Sequence, residues 1–359
     1  MLSTPNFRDE RCVRYRYRYS ECSYCAEACP HDAVQMNDAG IEIDSARCQN
    51  CALCTAVCPT EALSEKSVTT LALFDISAGK KNLAIACAPS EARGDAIVPC
   101  LGAIGAETLA AFSWQGVVVE FAGAGHCAEC AHVSKGVDLM QRHVAARNEL
   151  VGTIGNEQWA SFTWRDDKDR TAVGHQASRR HLFRRLVGRG FDQVIKAGEE
   201  IPPPPLKAIR AAAPFLPERK VTLNQLVQRD GAADILVPRQ LALPAEDWKV
   251  APGCTSCEAC VRVCPTGALQ LFENSSQWQL VFLNERCVAC NVCAEVCQPH
   301  VLQPEDEEQV CLSMRAPRLL HNLPKQRCSR CDRVFVGGAG GQVCPICTGD
   351  DQDFASIFG

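Results

Sequence analysis

The cysteines of this 359-residue chain are grouped in tight runs, and this grouping constrains the fold more than any other feature. Most of the 25 cysteines belong to C-x-x-C runs, in which two residues separate one cysteine from the next. The segment 22–63, CSYCAEACPHDAV…RCQNCALCTAVCPTEAL, recurs at 254–302 as CTSCEACVRVCPTGAL…RCVACNVCAEVCQPHVL. Cysteines this close together chelate one metal more readily than they cross-link distant segments. We therefore expect two similar modules that are organised around metal sites.

The spacing of each complete run suits a 4Fe–4S cube, which needs one thiolate for each iron. Three closely spaced cysteines wrap around three irons, and the trailing cysteine of the run ligates the other cluster of the module. Three such sites are predicted: site 2, formed by Cys48, Cys51, Cys54 and Cys29; site 3, formed by Cys254, Cys257, Cys260 and Cys297; and site 4, formed by Cys287, Cys290, Cys293 and Cys264.

The first run of the first module lacks its opening cysteine, because Tyr19 stands where the spacing would place it. The nearest upstream candidate is Cys12, seven residues before Tyr19. We predict that residues 13–19 loop out and that site 1 consists of Cys12, Cys22, Cys25 and Cys58. The alternative is a three-iron or labile cluster with Tyr19 in the gap.

These runs resemble the bacterial two-cluster ferredoxin family over about residues 10–65 and 250–303. The resemblance implies one-electron transfer at low potential through two 4Fe–4S clusters in each module. Zinc is the alternative ion, but zinc sites usually use two well-separated C-x-x-C pairs rather than triplets with a trailing cysteine.

Residues 82–150 predict a strand, a helix over roughly 103–113, a second strand over 117–121 and a second helix over roughly 132–150. Four cysteines at strand ends are expected to meet at one edge of a parallel sheet, and we call them the middle site: Cys87, Cys100, Cys127 and Cys130. The pattern IACAPS…IVPCLG…GVVVEFAGAGHCAEC resembles the small iron–sulfur (delta) subunit of methanogen-type hydrogenases. The resemblance implies a 2Fe–2S centre and electron delivery to a heterodisulfide reductase.

The tighter spacing of the last cysteine pair departs from that family. The alternative is that Cys87 and Cys100 are small buried side chains without a metal. His126 and His132 flank the last pair. One interpretation is that they replace cysteine ligands, and the alternative is that they are polar residues at the rim of the site.

Two C-x-x-C pairs near the end of the chain have zinc-ribbon spacing. We call these four cysteines the knuckle site: Cys328, Cys331, Cys344 and Cys347. Four thiolates suit a tetrahedral zinc, which would fold a segment too small for its own core. A rubredoxin-type iron is the alternative. Cys311 is left over and is interpreted as structural.

The predicted fold class is α+β multidomain, with a ferredoxin-type first module over 1–68 and an α/β middle unit over 69–150. A linker or wrapping segment with a basic helix at 178–190 follows over 151–249, then the second ferredoxin-type module over 250–305, and finally a linker and the knuckle over 306–359. The RYRYRY run before Ser20 alternates with period two, which predicts an edge strand with its tyrosines packed inward and its arginines in solvent.

A net charge of −5 gives no reason to expect a nucleic-acid partner. No secretory signal or uninterrupted apolar span is visible, so we expect a cytoplasmic protein, with peripheral membrane association left open. No dinucleotide, phosphate or nucleophile motif predicts catalysis by the chain alone.

The leading hypothesis is an electron-transfer subunit that connects redox partners such as a reductase, dehydrogenase or hydrogenase subunit. The alternative is an accessory or maturation factor for a redox metalloenzyme. A weaker third reading is a redox sensor with a labile cluster in the first module.

Overall fold

The computed structural model describes residues 4–154, 159–165, 208–228, 234–241, 243–313, 316–337 and 341–348. Helices and strands mix throughout these residues, and the strands form six small sheets. The predicted α+β multidomain class is confirmed at this level. The basic helix expected at 178–190, the proline run at 201–205 and the acidic residues at 350–353 lie outside the described residues.

The first module is built from short elements that place its cysteines. Its strands are β1 (Asn6–Phe7), β2 (Val34–Asn37), β3 (Gly40–Ile43) and β4 (Leu63–Ser64), and its helices are Val13–Arg16, Tyr24–Glu27 and Leu53–Val57. Strands β1 and β4 pair antiparallel and close the two ends of the module, while β2 and β3 form a hairpin. The small core includes Val34, Ile41 and Leu63 packed around Cys54, so a cysteine belongs to the core itself.

The RYRYRY run forms one helical turn, Val13–Arg16, rather than the expected strand. Arg16 is only 1% exposed, whereas the period-two pattern placed the arginines in solvent. Tyr17 forms an isolated antiparallel bridge with Ile209, a residue about 190 positions away in the chain. The strand prediction was wrong because this distant contact, which local periodicity cannot reveal, determines the conformation.

The middle unit is a four-stranded parallel sheet in the order β6-β5-β7-β8. Its strands are β5 (Asn82–Cys87), β6 (Ala96–Val98), β7 (Val118–Ala122) and β8 (Phe162–Arg165), and its helices are Thr70–Ser77, Ala106–Trp114 and Val133–Ile154. The core contains Leu83, Ile85, Val119 and Phe121, which are almost fully buried. Because all four strands are parallel, their carboxyl ends meet at one edge of the sheet.

A segment of the predicted linker, residues 208–228, lies against both modules and the middle unit. Its helix Glu218–Val227 begins where the side chain of Glu61 accepts hydrogen bonds from two backbone N–H groups, at 2.9 and 2.8 Å. Phe215 donates its backbone N–H to Pro265 of the second module at 2.8 Å. This segment therefore wraps the molecule.

The second module has a larger apolar core than the first, around Trp248, Trp278 and Phe282. Its strands are β10 (Trp248–Val250), β11 (Leu269–Glu273), β12 (Gln277–Phe282) and β13 (Leu302–Pro304), and its helices are Ala259–Val263 and Val292–Glu295. Strand β9 (Leu236–Pro238) pairs with β14 (Gln309–Cys311) outside it. Strand β15 (Arg318–Arg327) pairs with β12 and with β16 (Val334–Val336), so the sheet of the second module continues into the knuckle.

None of the helices in the described ranges is long and apolar enough to cross a membrane.

Candidate metal centres

The three complete cysteine runs share one backbone geometry. In each, the second residue after the first cysteine and the first residue after the second cysteine have positive φ. These residues are Asn50 and Ala52 in site 2, Ser256 and Glu258 in site 3, and Ala289 and Asn291 in site 4. None is glycine, so each run accepts a conformation that costs roughly 1–2 kcal/mol per residue. The strain is explained if the loop must curl so that its thiols point at a common centre.

The trailing cysteines also share a turn. The third residue after each has positive φ: Asp32, Glu61, Gly267 and His300. In three of these turns the following backbone N–H donates to the cysteine sulfur at 3.3 Å, and the donors are Ala33, Ala62 and Ala268. Such N–H bonds stabilise a thiolate ligand. The sequence showed the cysteines but not these left-handed positions, because a residue such as Glu61 is not typical of that conformation.

The first run of the first module departs from this geometry. Its corresponding residues are Glu21 and Ser23; Ser23 has a φ of −130°, and Glu21 is not among the residues with positive φ. The opening cysteine is also missing from this run. The backbone of this run therefore departs from that of the three complete runs at the place where its sequence lacks a cysteine.

The structure brings Cys12 to the other three residues of predicted site 1. Cys12 is 8% exposed, and burial followed by the neighbouring Cys58 thiol raises its pKa. Burial raises the pKa of Cys22 and of Cys25 to about 12, with Cys58 and Cys12 contributing to both. Tyr19, in contrast, is 63% exposed. The placement supports Cys12 over Tyr19, although the ligand set itself stays a prediction.

The four thiols of each remaining ferredoxin site are also gathered. In site 2, burial raises the pKa of Cys51 to about 11, and the Cys29 and Cys48 thiols add to the effect. In site 3, burial raises the pKa of Cys260 to about 12, and the neighbouring thiols of Cys257, Cys254 and Cys297 add to it.

In site 4 the Cys290 and Cys293 thiols have pKa values far above normal because of burial and because Cys264 and Cys287 lie beside them. Cysteine ligands must be deprotonated, so these buried thiols would ionise only if a bound metal supplied positive charge.

Thiols of different sites also face each other. After burial, a thiol of a neighbouring site contributes to the raised pKa of Cys54, Cys290 and Cys293. Each of these pairs also packs within one apolar group: Cys54 of site 2 with Cys25 of site 1, Cys290 of site 4 with Cys22 of site 1, and Cys293 of site 4 with Cys260 of site 3. The order of the sites in space is therefore 2, 1, 4, 3.

The two modules meet through an apolar seam beside sites 1 and 4. Val13 and Tyr17 of the first module pack on Val263, Val292 and Val296 of the second, and all five side chains are buried. Cys22 of site 1 and Cys290 of site 4 pack against these side chains, so the seam places sites 1 and 4 side by side.

The middle site gathers at the carboxyl edge of the parallel sheet. Cys87 ends β5, Cys100 follows β6, and Cys127 and Cys130 follow β7 in a turn of 3-10 helix. Burial raises the pKa of Cys87 to about 12, and Cys130 and Cys127 add to the effect. All four thiols line one small cavity, together with His126 and His132.

The middle site adjoins site 2. Cys100 packs with Cys51 and Leu53 in one buried group, and the Cys51 thiol contributes to the raised pKa of Cys100, after burial and Cys87. His31 Nε2 and His132 Nδ1 are 2.9 Å apart, and both rings lie beside the Cys51 sulfur. Burial, followed by His31, lowers the pKa of His132 to about 4. The row of sites therefore extends to middle, 2, 1, 4, 3.

The knuckle site has the geometry of a tetrahedral metal site. Its four sulfurs lie within 4.8 Å of one another, and those of Cys331 and Cys344 are 3.8 Å apart. Four sulfurs about 2.3 Å from a tetrahedral zinc would be about 3.8 Å apart. The backbone N–H of Cys344 donates to the Cys328 sulfur at 3.3 Å and lowers the pKa of Cys328 to about 6. Cys311 lies apart in β14, where it is 3% exposed.

Two buried cations lie beside site 4. Arg16 donates to the carbonyl oxygens of Ala213 at 2.7 Å and Ala212 at 3.1 Å, and its Nη1 is 3.5 Å from the carbonyl oxygen of Cys264. Lys220 is 2% exposed, donates to Pro244 at 3.0 Å, and lies within electrostatic reach of the Cys287 thiol.

The side chain of Trp248 also donates a hydrogen bond to Cys287. Arg16 and Lys220, which belong to other parts of the chain, therefore add positive charge beside site 4.

The residues present fit iron–sulfur clusters. All 25 cysteines are free thiols, and the four ferredoxin sites each offer four converging sulfurs. Residues 20–62 and 253–301 each match the family of 4Fe–4S dicluster domains. A comparison with curated proteins finds no match for the chain. The two matches support a duplicated ferredoxin-like iron–sulfur protein that transfers electrons.

Proposed function

We propose that this protein relays single electrons between redox partner proteins through four 4Fe–4S clusters at sites 1 to 4, with a 2Fe–2S centre at the middle site. Iron–sulfur clusters accept and release one electron at potentials that charge, hydrogen bonds to sulfur and solvent exposure adjust. The observation that carries the proposal is the continuous row middle, 2, 1, 4, 3, in which cysteines of successive sites pack within shared apolar groups.

The chain's own residues would hold this row in place. Leu53 packs between the middle site and site 2, and the seam residues Val13 and Val292 close the junction of sites 1 and 4. Close, dry spacing favours electron tunnelling, whose rate falls steeply with distance. The site 3 end differs from the rest of the row, because Cys257 is exposed whereas the other cysteines of the row are buried or half-buried. Site 3 is therefore the proposed point of contact with one redox partner, and the middle site, at the other end of the row, is the proposed point of contact with the second.

Anaerobic reconstitution tests the proposal. The loaded protein should contain on the order of sixteen irons from four cubanes, with about two more from a 2Fe–2S centre. Electron paramagnetic resonance (EPR) of the reduced protein should show spin–spin interaction between adjacent clusters. Cys293→Ala should remove site 4 and simplify that interaction, whereas the control Cys311→Ala should leave iron content and spectra unchanged. Zinc without iron, or iron without reducible signals, would overturn the proposal.

A maturation or accessory role is the second candidate, and the knuckle site favours it. Zinc is not redox-active, so a zinc ion at this site would add nothing to electron transfer. Affinity capture of the full chain separates the two functions. Recovery of a mature reductase, dehydrogenase or hydrogenase subunit supports the relay, and recovery of a metal-free precursor supports maturation.

A further inference from the structure

The charged groups around the four ferredoxin sites are unequal. The electrostatic neighbours that raise the pKa values of Cys51, Cys54 and Cys260, after burial, are other thiols. Site 4 differs, because Arg16 and Lys220 both reach it from outside the second module. Arg16 belongs to the first module and Lys220 to the wrapping helix Glu218–Val227.

Site 1 also has cations nearby, but acidic groups offset them. Arg219 interacts with the Cys58 thiol, yet its guanidinium is paired with the fully buried carboxylate of Glu107 and faces Glu61. Arg14 acts on Cys12, while Glu295 acts on Cys22. Positive and negative neighbours therefore largely cancel at site 1.

The two cations at site 4 also have acidic neighbours, and these offset the two cations to different degrees. Arg16 is held by carbonyl oxygens, and its acidic neighbour is Glu10. Burial lowers the pKa of Lys220 to about 8, while the Cys287 thiol, Glu285 and Asp247 favour its charged form, so Lys220 is offset more than Arg16. Asp247 in turn accepts the backbone N–H of Cys311 at 3.0 Å and lies 4.0 Å from Arg318.

We propose that Arg16 and Lys220 raise the reduction potential of the 4Fe–4S cluster at site 4, so that electrons in the row reside preferentially at the junction of the two modules. Reduction adds one negative charge to a cluster, and a nearby buried cation stabilises that added charge. Burial acts in the opposite direction, because it disfavours the more highly charged state. The effect of the cation exceeds the effect of burial, because the low dielectric that penalises the added negative charge also strengthens the attraction between that charge and the cation.

The hydrogen bond from Trp248 to Cys287 acts in the same direction as the cations. A unit charge within about 10 Å at an effective dielectric of about 20 changes an equilibrium by roughly tenfold. The inference rests on the proposed function, because it concerns a cluster that this function requires.

A redox titration followed by EPR tests the inference on the reconstituted full chain. Cys293→Ala first identifies which reduction step belongs to site 4. Arg16→Met and Lys220→Met should each lower the equilibrium constant of that step by about tenfold, which is about 59 mV for a one-electron couple. The reduction potentials of the other clusters should change much less.

Two controls separate charge from structure. Arg16→Lys keeps the charge while losing most of the carbonyl bonds, so it should restore most of the potential that Arg16→Met loses. Arg262→Met removes a cation that lies two residues from both Cys260 and Cys264 but is 60% exposed and paired with Glu258, so solvent screening should leave the site 4 step in place. If Arg16→Met fails to load iron, Lys220→Met compared with Lys220→Arg tests the effect of charge. If Lys220→Met fails to load iron, Arg16→Met compared with Arg16→Lys does so.

The outcomes are distinct. An unchanged site 4 step in loaded Arg16→Met and Lys220→Met would overturn the inference and leave the relay standing. Equal shifts in Arg16→Met and Arg16→Lys would also overturn it, because packing rather than charge would then be responsible. Wild-type protein without reducible clusters would overturn the proposed function itself.

Discussion

Replacement of Cys12 by alanine is the sharpest test of site 1. The thiol of Cys12 lies with those of Cys22, Cys25 and Cys58, so its removal leaves three sulfurs for a cube that needs four. Alanine is preferable to serine, because a serine oxygen can replace the thiolate. Tyr19→Phe is the matched control, since Tyr19 occupies the position of the missing cysteine and its side chain is 63% exposed.

The size of the effect follows from the ligand count. A cube with three protein thiolates either loses the unligated iron or is lost entirely, so Cys12→Ala should contain about one to four fewer irons than the roughly sixteen expected from four cubanes. Sites 2, 3 and 4 keep all of their cysteines and should stay reducible. Tyr19→Phe should contain as much iron as the wild-type protein.

The assay is an iron and acid-labile sulfide count on anaerobically reconstituted protein, combined with EPR of the oxidised and reduced states. A three-iron cluster would be recognised by its signal in the oxidised sample. Full iron content in Cys12→Ala together with loss of iron in Tyr19→Phe would refute the reasoning and show that Tyr19 fills the gap.

Other predictions follow from buried contacts. Arg219→Met leaves the fully buried carboxylate of Glu107 without its cation and should lower the free energy of unfolding by about 3–5 kcal/mol in a denaturant titration; a change below about 1 kcal/mol would contradict this. A Cβ on Gly136 would lie 3.0 Å from the nearest middle-site sulfur, so Gly136→Ala should weaken or abolish a 2Fe–2S absorption signal, whereas Gly152→Ala on the same helix meets nothing within 4 Å and should not. Cys344→Ala should remove one zinc per chain without loss of iron when both metals are counted by mass spectrometry, and loss of iron alone would refute zinc at the knuckle.

The sequence predicts definite ligand sets because the spacing within a run is too short for many alternatives, and these sets stay predictions. The C-x-x-C-x-x-C arrangement constrains three sulfurs locally, and the repeat indicates where the fourth comes from. Strands β5 and β7 were predicted because each is a buried apolar run bounded by polar residues or glycine. Strands β6 and β8, with three and four residues, were not predicted, since segments so short carry little periodic signal.

Arg16 shows what the sequence could not reveal. In the RYRYRY run its neighbours suggested a solvent-exposed arginine, but its partners are carbonyl oxygens of Ala212 and Ala213, about 200 residues further along the chain. The order of the sites in space was likewise hidden. It depends on the seam between Val13, Tyr17 and the second module, and no local pattern encodes such a contact.

The seam also has a consequence for biosynthesis. Tyr17 and its partner Val292 are separated by 275 positions in the chain, which at roughly 5–20 residues per second corresponds to about 14–55 s of translation. During that interval Cys22 and the rest of site 1 lack the second module that will cover them. Cluster delivery to the first module therefore has a period of open access, and completion of the second module ends it.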